Sequence, residues 1–339
     1  MTASMTADLT NRILKQSFQH AQIEIHGKDV LSLYENWPTP TVIMSDGPYG
    51  LNSYNGDLKT SEGLDGFYRP HVEAWTRAAG QDTTLWFWNS ELGWATVHPL
   101  LVEHGWRFVN CHIWNKGISH IAGNTNTKTL RKFPVVTEVC VQYVREPKVN
   151  GKKMHSWLRS EWIRSGLPLS HANEACGVKD AATRKYLTQD HLWYFPPPNM
   201  FVKLVNYANK HGDPAGKPYF VSHTGLPFTE EEWSHMRAKF HCSIGMTNVW
   251  NEPAIHGNER IKGEDGKNVH PNQKPLKIIQ MLIETSSDIH DMVWEPFGGL
   301  CTAAVACLKT DRKCHSAEID EDFYQIAIKR LTNAVVTDP

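Results

Sequence analysis

Short runs of apolar, β-branched and aromatic residues alternate with longer helical patterns over residues 22–150. Thr41–Met44, Thr84–Trp88, Phe108–Trp114 and Glu138–Val144 read as strands, and the stretches between them read as helices. Near the C-terminus, Val293-Trp294-Glu295 reads as another strand. It enters a turn at Gly298-Gly299 and then a helix of small residues starting at Thr302. His315–Asp320 follows as the next strand, and Leu276, Ile279 and Ile283 mark an amphipathic helix upstream. Strands and helices in alternation predict an α/β fold with a twisted, mostly parallel sheet flanked by helices. Residues 151–254 break the pattern. They carry Pro196-Pro197-Pro198 and several helix patterns, among them two short ones over residues 169–187 about Gly177-Val178. The division expected is an arm (1–21), a first sheet half (22–150), an inserted, mainly helical region (151–254) and a second sheet half (255–339). Trp86, Trp88, Trp94 and Trp106 are expected in the core, with Trp88 at a strand end facing a ligand.

The composition, 40% hydrophobic and 21% charged over 339 residues, is that of a soluble globular chain with ample core. No stretch approaches the ~20 apolar residues of a membrane helix, and no basic segment with an apolar core opens the chain. A cytoplasmic protein with no membrane partner is therefore expected. The seven cysteines include no Cys-x-x-Cys pair and read as reduced thiols. His and Cys do not cluster at ligand spacing, and His241-Cys242 are adjacent, so no metal site is expected. The net charge of −1 conceals an asymmetry: ten Lys and Arg face two acids between Arg107 and Arg159. Lys128, Arg131 and Lys132, in a flexible-looking part of that stretch, are candidate phosphate contacts. Lys179, Arg184 and Lys185 would be exposed on the second of the two short helices, as in a helix-turn-helix reader.

The candidate chemistry begins at Ser45-Asp46-Gly47-Pro48-Tyr49-Gly50, directly after the first strand. Asp46 can accept one hydrogen of an exocyclic amine, a carbonyl of the turn can accept the other, and Tyr49 can stack on the ring. Such an amine is conjugated with its ring and is a poor nucleophile. Acceptors at both hydrogens draw the nitrogen towards sp3 and free its lone pair. The bland alternative is a strand that ends in an ordinary Asp-Gly, Gly-Pro turn.

The segment resembles the Asp-Pro-Pro-Tyr signature of amino-methyltransferases acting on DNA bases, with Gly47 in place of a proline. Glu295-Pro296-Phe297-Gly298-Gly299-Leu300-Cys301-Thr302 resembles the Asp-Pro-Phe-x-Gly-x-Gly-Thr loop of that family, with Glu295 for Asp and Cys301 for the second Gly. His270-Pro271-Asn272-Gln273-Lys274-Pro275 is similar to its His-Pro-x-Gln-Lys-Pro segment. Gly27-Lys28-Asp29 is similar to its Gly-Asp segment, and Trp114-Asn115-Lys116 and Glu138 to its Trp-x-Lys and acid-led strands. The order, catalytic segment first and cofactor loop last, is that of a permuted class.

The resemblance implies a Rossmann-like fold of seven strands and S-adenosylmethionine as cofactor. It implies that Asp46, Gly47, Pro48 and Tyr49 are catalytic, and that Asp29, His270, Lys274, Glu295, Phe297, Gly298, Gly299, Cys301, Thr302 and Glu318 bind the cofactor. Within that set Asp29 lies near the adenine, Lys274 pairs with the methionine carboxylate, and Glu318 holds the ribose. The activity implied is methyl transfer to adenine N6 in a specific duplex sequence, with the base flipped out. Cytosine-N4 methylation is the alternative, since that family usually has Ser at position 46, and Ser45 lies next door. A non-catalytic DNA-binding partner of degenerate fold and an RNA methyltransferase are further alternatives. Double-stranded DNA, a second copy of the chain and a cognate restriction endonuclease are the partners implied.

Overall fold

The computed structural model describes residues 17–20, 22–51, 58–121, 129–263, 266–270 and 272–337. Lys128 and most of the expected N-terminal arm lie outside the described residues. The chain divides into two compact units, residues 1–145 with 238–339, and residues 146–237.

The first unit is built on strands β1 (Ser17–His20), β2 (Ile23–His26), β3 (Val42–Ser45), β4 (Thr84–Asn89), β5 (Trp106–Asn115) and β6 (Thr137–Arg145). In the second unit β7 (Lys148–Val149) and β8 (Lys152–Lys153) form a separate hairpin. The first unit resumes with β9 (Val249–Asn251), β10 (Met292–Glu295) and β11 (Lys313–Ala317). Its nine strands lie in the order β1-β2-β11-β10-β3-β4-β6-β5-β9. From β2 to β4 neighbours are parallel, whereas β6 runs antiparallel to both β4 and β5. The expected seven strands form the body of the sheet. β1 and β9, at its two edges, add to that expectation; each is too short to carry a periodic signal.

Side chains that alternate along the strands feed two layers. Val42 and Met44, Trp86 and Trp88, and Val293 face one core, whereas Ile43, Leu85, Phe87 and Trp294 face the other. Helices α1 (Leu64–Ala78) and α2 (Glu91–Glu103) cover the second face. The second unit holds α3 (Met154–Arg164), α4 (His171–Cys176), α5 (Ala181–Tyr186), α6 (Pro198–His211) and α7 (Glu230–Ser234). Helices α8 (Leu276–Ser286), α9 (Thr302–Lys309) and α10 (Glu321–Thr337) cover the first face of the sheet. Strands buried on both sides read as near-continuous apolar runs, as β3 and β4 do. From β3 the chain moves to β4 on one side, and from β10 to β11 on the other. The sheet therefore reverses between β3 and β10, where an open α/β sheet leaves a crevice at its strand ends.

The second unit is mainly helical and has its own aromatic core, in which Phe201 and Trp233 stack at 3.6 Å. α4 and α5 flank Gly177, whose φ of +71° suits glycine. The unit ends at Arg237, not at the expected 254. β9 pairs with β5, and Lys239 binds Asp288 and Asp291 at 2.8 and 2.7 Å, which holds residues 238–254 to the sheet.

Candidate active site

A cavity of about 400 Å³ opens where β3, β10 and β11 end. Asp46, Gly47, Pro48 and Tyr49 line it from one side; Pro296 to Leu300 line its floor, and Glu318 and Asp320 line the other side. Asp29, His270, Lys274, Glu295, Phe297 and Thr302 also line it.

Asp46 is the first residue past β3, and its Oδ1 meets Lys274 Nζ at 2.8 Å and the Tyr49 hydroxyl at 3.0 Å. Lys274, only 2% exposed, also lies 3.3 Å from Glu138 Oε2. Glu138 accepts from the Tyr49 hydroxyl at 3.2 Å and binds Lys116 through its other oxygen. Two ammonium groups thus face two carboxylates, with Lys274 buried and the other three partly buried. Burial opposes the charge on Lys274, but Asp46 and Glu138 outweigh it and hold its pKa above the ordinary value. Burial likewise opposes ionisation of Glu138, and Lys274 with Lys116 overcomes it, so that carboxyl titrates below its usual range. At Asp46 burial prevails over Lys274, and its pKa is raised.

Lys274 was expected on a methionine carboxylate. The structure spends its charge on Asp46 and Glu138, and its ammonium also donates to the Asn272 carbonyl at 3.2 Å. Tyr49 was expected as a free stacking ring. It is 3% exposed, with its hydroxyl tied to both carboxylates and the Lys274 ammonium 5.2 Å from its ring centre. Trp88 does not face the cavity; it is fully buried against Trp114 and Trp250. Glu138 and Lys116 belong to the site although sequence reasoning gave neither a role. The signal available was their place in the Trp-x-Lys and acid-led strands.

The turn after Asp46 explains the missing proline. A Cβ on Gly47 would stand 2.6 Å from the Tyr68 hydroxyl and 2.7 Å from the Phe297 ring, so aromatic packing takes the space. The Pro48 carbonyl accepts from the Tyr68 hydroxyl at 3.1 Å and from Asn89 Nδ2 at 3.2 Å. The Gly47 carbonyl and Asp46 Oδ2 have no partner among the described residues. One carbonyl of the turn is thus occupied and the other free. Ser45 is fully buried within β3 and is not part of the cavity wall, so a one-residue change of register would place no hydroxyl there.

On the opposite side, Gly299 has φ +52°, and its N–H donates to Glu318 Oε2 at 2.5 Å, while the Asp320 N–H donates to Glu318 Oε1 at 2.7 Å. A Cβ on Gly298 would lie 2.9 Å from both Cys301 Sγ and Ser316 Oγ. Cys301 itself takes a left-handed conformation with φ +52° and turns its sulfur to Ser316 at 3.5 Å. It lies beneath the turn rather than in the cavity wall, which corrects its expected contact with a ligand. Glu295 accepts the N–H groups of Ala303 and Ala304 at 2.7 and 3.1 Å and the Ser316 hydroxyl at 3.0 Å, and so caps α9. Burial pushes its pKa up to about 7, against those bonds. Thr302 accepts from Arg330 at 3.0 Å at the start of the same helix. His270 packs on Phe323, and burial holds its pKa down to about 4, so it is neutral. Phe297 packs against His71 with ring centres 4.9 Å apart. Asp29 caps a short 3₁₀ turn through Leu31 N–H at 3.0 Å on the cavity rim.

The other expected contacts lie elsewhere. Arg131 and Lys132 are exposed in the first unit, and Lys179, Arg184 and Lys185 in the second. Arg184 lies 3.7 Å from Asp180. The basic surplus is not one surface: Lys116 pairs with Glu138, Arg145 donates to the His104 carbonyl, and Lys148 to Arg159 belong to the second unit.

Set beside known proteins, the pattern has a clear relation. The N6/N4 methyltransferase family profile, described as DNA methylase, matches residues 41–329. The chain belongs to the N6/N4 DNA methylase family. Type II methyltransferase M.HinfI of Haemophilus influenzae is 35% identical over 83 residues, 24% of this chain and 23% of that protein. Type II methyltransferase M2.MboI of Moraxella bovis is 25% identical over 135 residues, 40% of this chain and 45% of that protein. The matched segments thus span less than half of either relative. The cytosine-N4-specific PvuII DNA methyltransferase is similar in fold, with a TM-score of 0.51 and 10% identity over 93% of this chain and 92% of that one.

S-adenosylmethionine is the cofactor of this methylase family, and the residues present fit it. Carboxylates of Asp29, Glu318 and Asp320 ring the cavity, which suits the hydroxyls and positive charge of a nucleoside sulfonium and disfavours a phosphate. Each Glu318 oxygen keeps a second lone pair for a ribose hydroxyl, and the bare Gly298-Gly299 turn allows close approach.

Proposed function

We propose that this chain methylates the exocyclic N6 of adenine in duplex DNA, within a specific sequence, with the base turned out of the stack. The observation that carries this reading is a carboxylate, Asp46, fixed at the cavity mouth with Oδ2 free, beside the free Gly47 carbonyl. Together they offer the two acceptors that an exocyclic amine requires. A carboxylate at this position favours adenine, because the cytosine-N4 enzymes usually have Ser there.

Bound S-adenosylmethionine supplies an electrophilic methyl group. Asp46 Oδ2 and the Gly47 carbonyl accept the two amine hydrogens and orient the nitrogen lone pair towards the cofactor side of the cavity. Lys274 and Tyr49 hold Oδ1, so the carboxylate need not reorganise as the nitrogen becomes positive. After transfer the nitrogen sheds a proton, and Asp46, with its raised pKa, is placed to take it. Glu318 binds the ribose, and Glu295 keeps the start of α9 against the turn.

The departures from the family pattern do not argue for an inactive fold. Gly47 makes room for Tyr68 and Phe297, Glu295 reaches two backbone N–H groups, and Cys301 adopts the conformation a glycine would have. Sequence reading is assigned to Lys179, Arg184 and Lys185 in the second unit, and phosphate contact to Lys128, Arg131 and Lys132. Modified-base sequencing of DNA from cells expressing the chain tests the proposal. N6-methyladenine in one sequence context is expected, and N4-methylcytosine would overturn it.

A further inference from the structure

The face of β2 and β11 away from the α9–α10 layer carries a second cluster. Along β2, Ile23 and Ile25 enter the core, and Glu24 and His26 point to the opposite face. His315 stands directly opposite Glu24 in the parallel register of β11. His26 Nε2 lies 3.1 Å from Glu24 Oε1, and His315 Nε2 lies 3.7 Å from Glu24 Oε2. One ligand atom from each of the three residues falls within 4.8 Å of the others. Trp37 backs the cluster, with ring centres 6.2 Å from His26 and 5.7 Å from His315.

We propose that Glu24, His26 and His315 form a site for one divalent transition-metal ion of the zinc type. Sequence spacing predicts no metal, because the ligands come from two strands that meet only in the fold. The ligand chemistry is two imidazoles and a carboxylate, which leaves a coordination position for water. Metal–nitrogen bonds of about 2.0–2.1 Å put neighbouring ligand atoms roughly 3.3–3.5 Å apart, so the three ligand atoms, now within 4.8 Å of one another, need to draw in only slightly. The side chains are 14%, 16% and 32% exposed for His26, His315 and Glu24, so an ion has a path in and a partly dry seat.

A second observation points the same way. His26 Nε2 is buried at ion-pair distance from Glu24 but outside hydrogen-bonding geometry, and His315 Nδ1 is also buried without a hydrogen-bond partner. Unpaired buried ring nitrogens are costly, and an ion would satisfy the first. A metal here would clamp β2 to β11 just before Asp29 and Glu318, which follow the two histidines on the cavity rim. The inference does not depend on the methylation reading.

The test is titration of the metal-free chain with Zn²⁺ by calorimetry and with Co²⁺ by absorption. The expected result is one equivalent bound at micromolar metal, with a cobalt spectrum of nitrogen and oxygen ligands and no thiolate charge-transfer band. Thermal unfolding should move to higher temperature with zinc. His315→Gln and Glu24→Gln should each lose that equivalent, and Cys242→Ser should keep it. If His315→Gln does not fold by circular dichroism, Glu24→Gln decides, since that side chain is a third exposed. No binding by the wild type, equal stoichiometry in the folded variants, or a thiolate band would overturn the site.

Discussion

Two carboxylates face each other across the cavity, and they are held in opposite ways. Glu318 is held by backbone N–H groups of Gly299 and Asp320, both in loops that adjoin it. Asp46 is held by side chains, Lys274 and Tyr49, and through them by Glu138 and Lys116. Backbone donors make a fixed cradle suited to a ribose that takes no part in the bond changes. Side-chain charges instead set the protonation and aim of a group that must accept hydrogens as charge develops. The cofactor side is held by backbone donors, and the reacting side by the charges of side chains.

The sharpest way to break this comparison is Lys274→Met. It leaves the partly buried Asp46 without its cation and Glu138 with Lys116 alone, and should cost about 2–3 kcal/mol of stability, read from the denaturant midpoint. Unchanged stability would mean that the network does not hold the reacting side. Glu318→Ala should leave the fold intact and weaken S-adenosylmethionine binding by about 1–3 kcal/mol in calorimetry. Turnover at saturating cofactor should be nearly unaffected, and equal affinity would remove the ribose assignment. Arg184→Ala should cost roughly 1–3 kcal/mol of discrimination between cognate and random duplex; equal loss on both would reduce Arg184 to a phosphate contact. Tyr49→Phe removes the hydroxyl that ties Asp46 to Glu138 while keeping the ring. Turnover should fall about tenfold with little change in KM, a barrier increase of about 1.4 kcal/mol. Full activity would show that the ring face, not the hydroxyl, is what counts.

The same contrast decides what could be read from the chain beforehand. The strand ends, the Gly298-Gly299 turn and Glu318 are local features, and their spacing survives in the sequence. The network behind Asp46 comes from positions 116, 138 and 274, which only the fold brings together, so its pairing is not legible in sequence spacing. The loss of proline at Gly47 is likewise illegible until Tyr68 and Phe297 are seen in the space its side chain would fill. The edge strands β1 and β9 escaped notice because pairing with a neighbour, not periodicity, defines them. The second unit's helical character was visible, but its end at Arg237 depends on ion pairs and strand pairing beyond it.

The central claim is that Asp46 accepts hydrogens from an adenine amine. It is tested by measuring methyl transfer to cognate duplex, with product identification, in Asp46→Ala and Asp46→Asn beside the wild type. The account predicts N6-methyladenine from the wild type and none from Asp46→Ala, with cofactor affinity in that variant close to wild type. Asp46→Asn should retain a trace of activity, because its amide oxygen still accepts a hydrogen bond without the charge. Undiminished transfer by Asp46→Ala would contradict it.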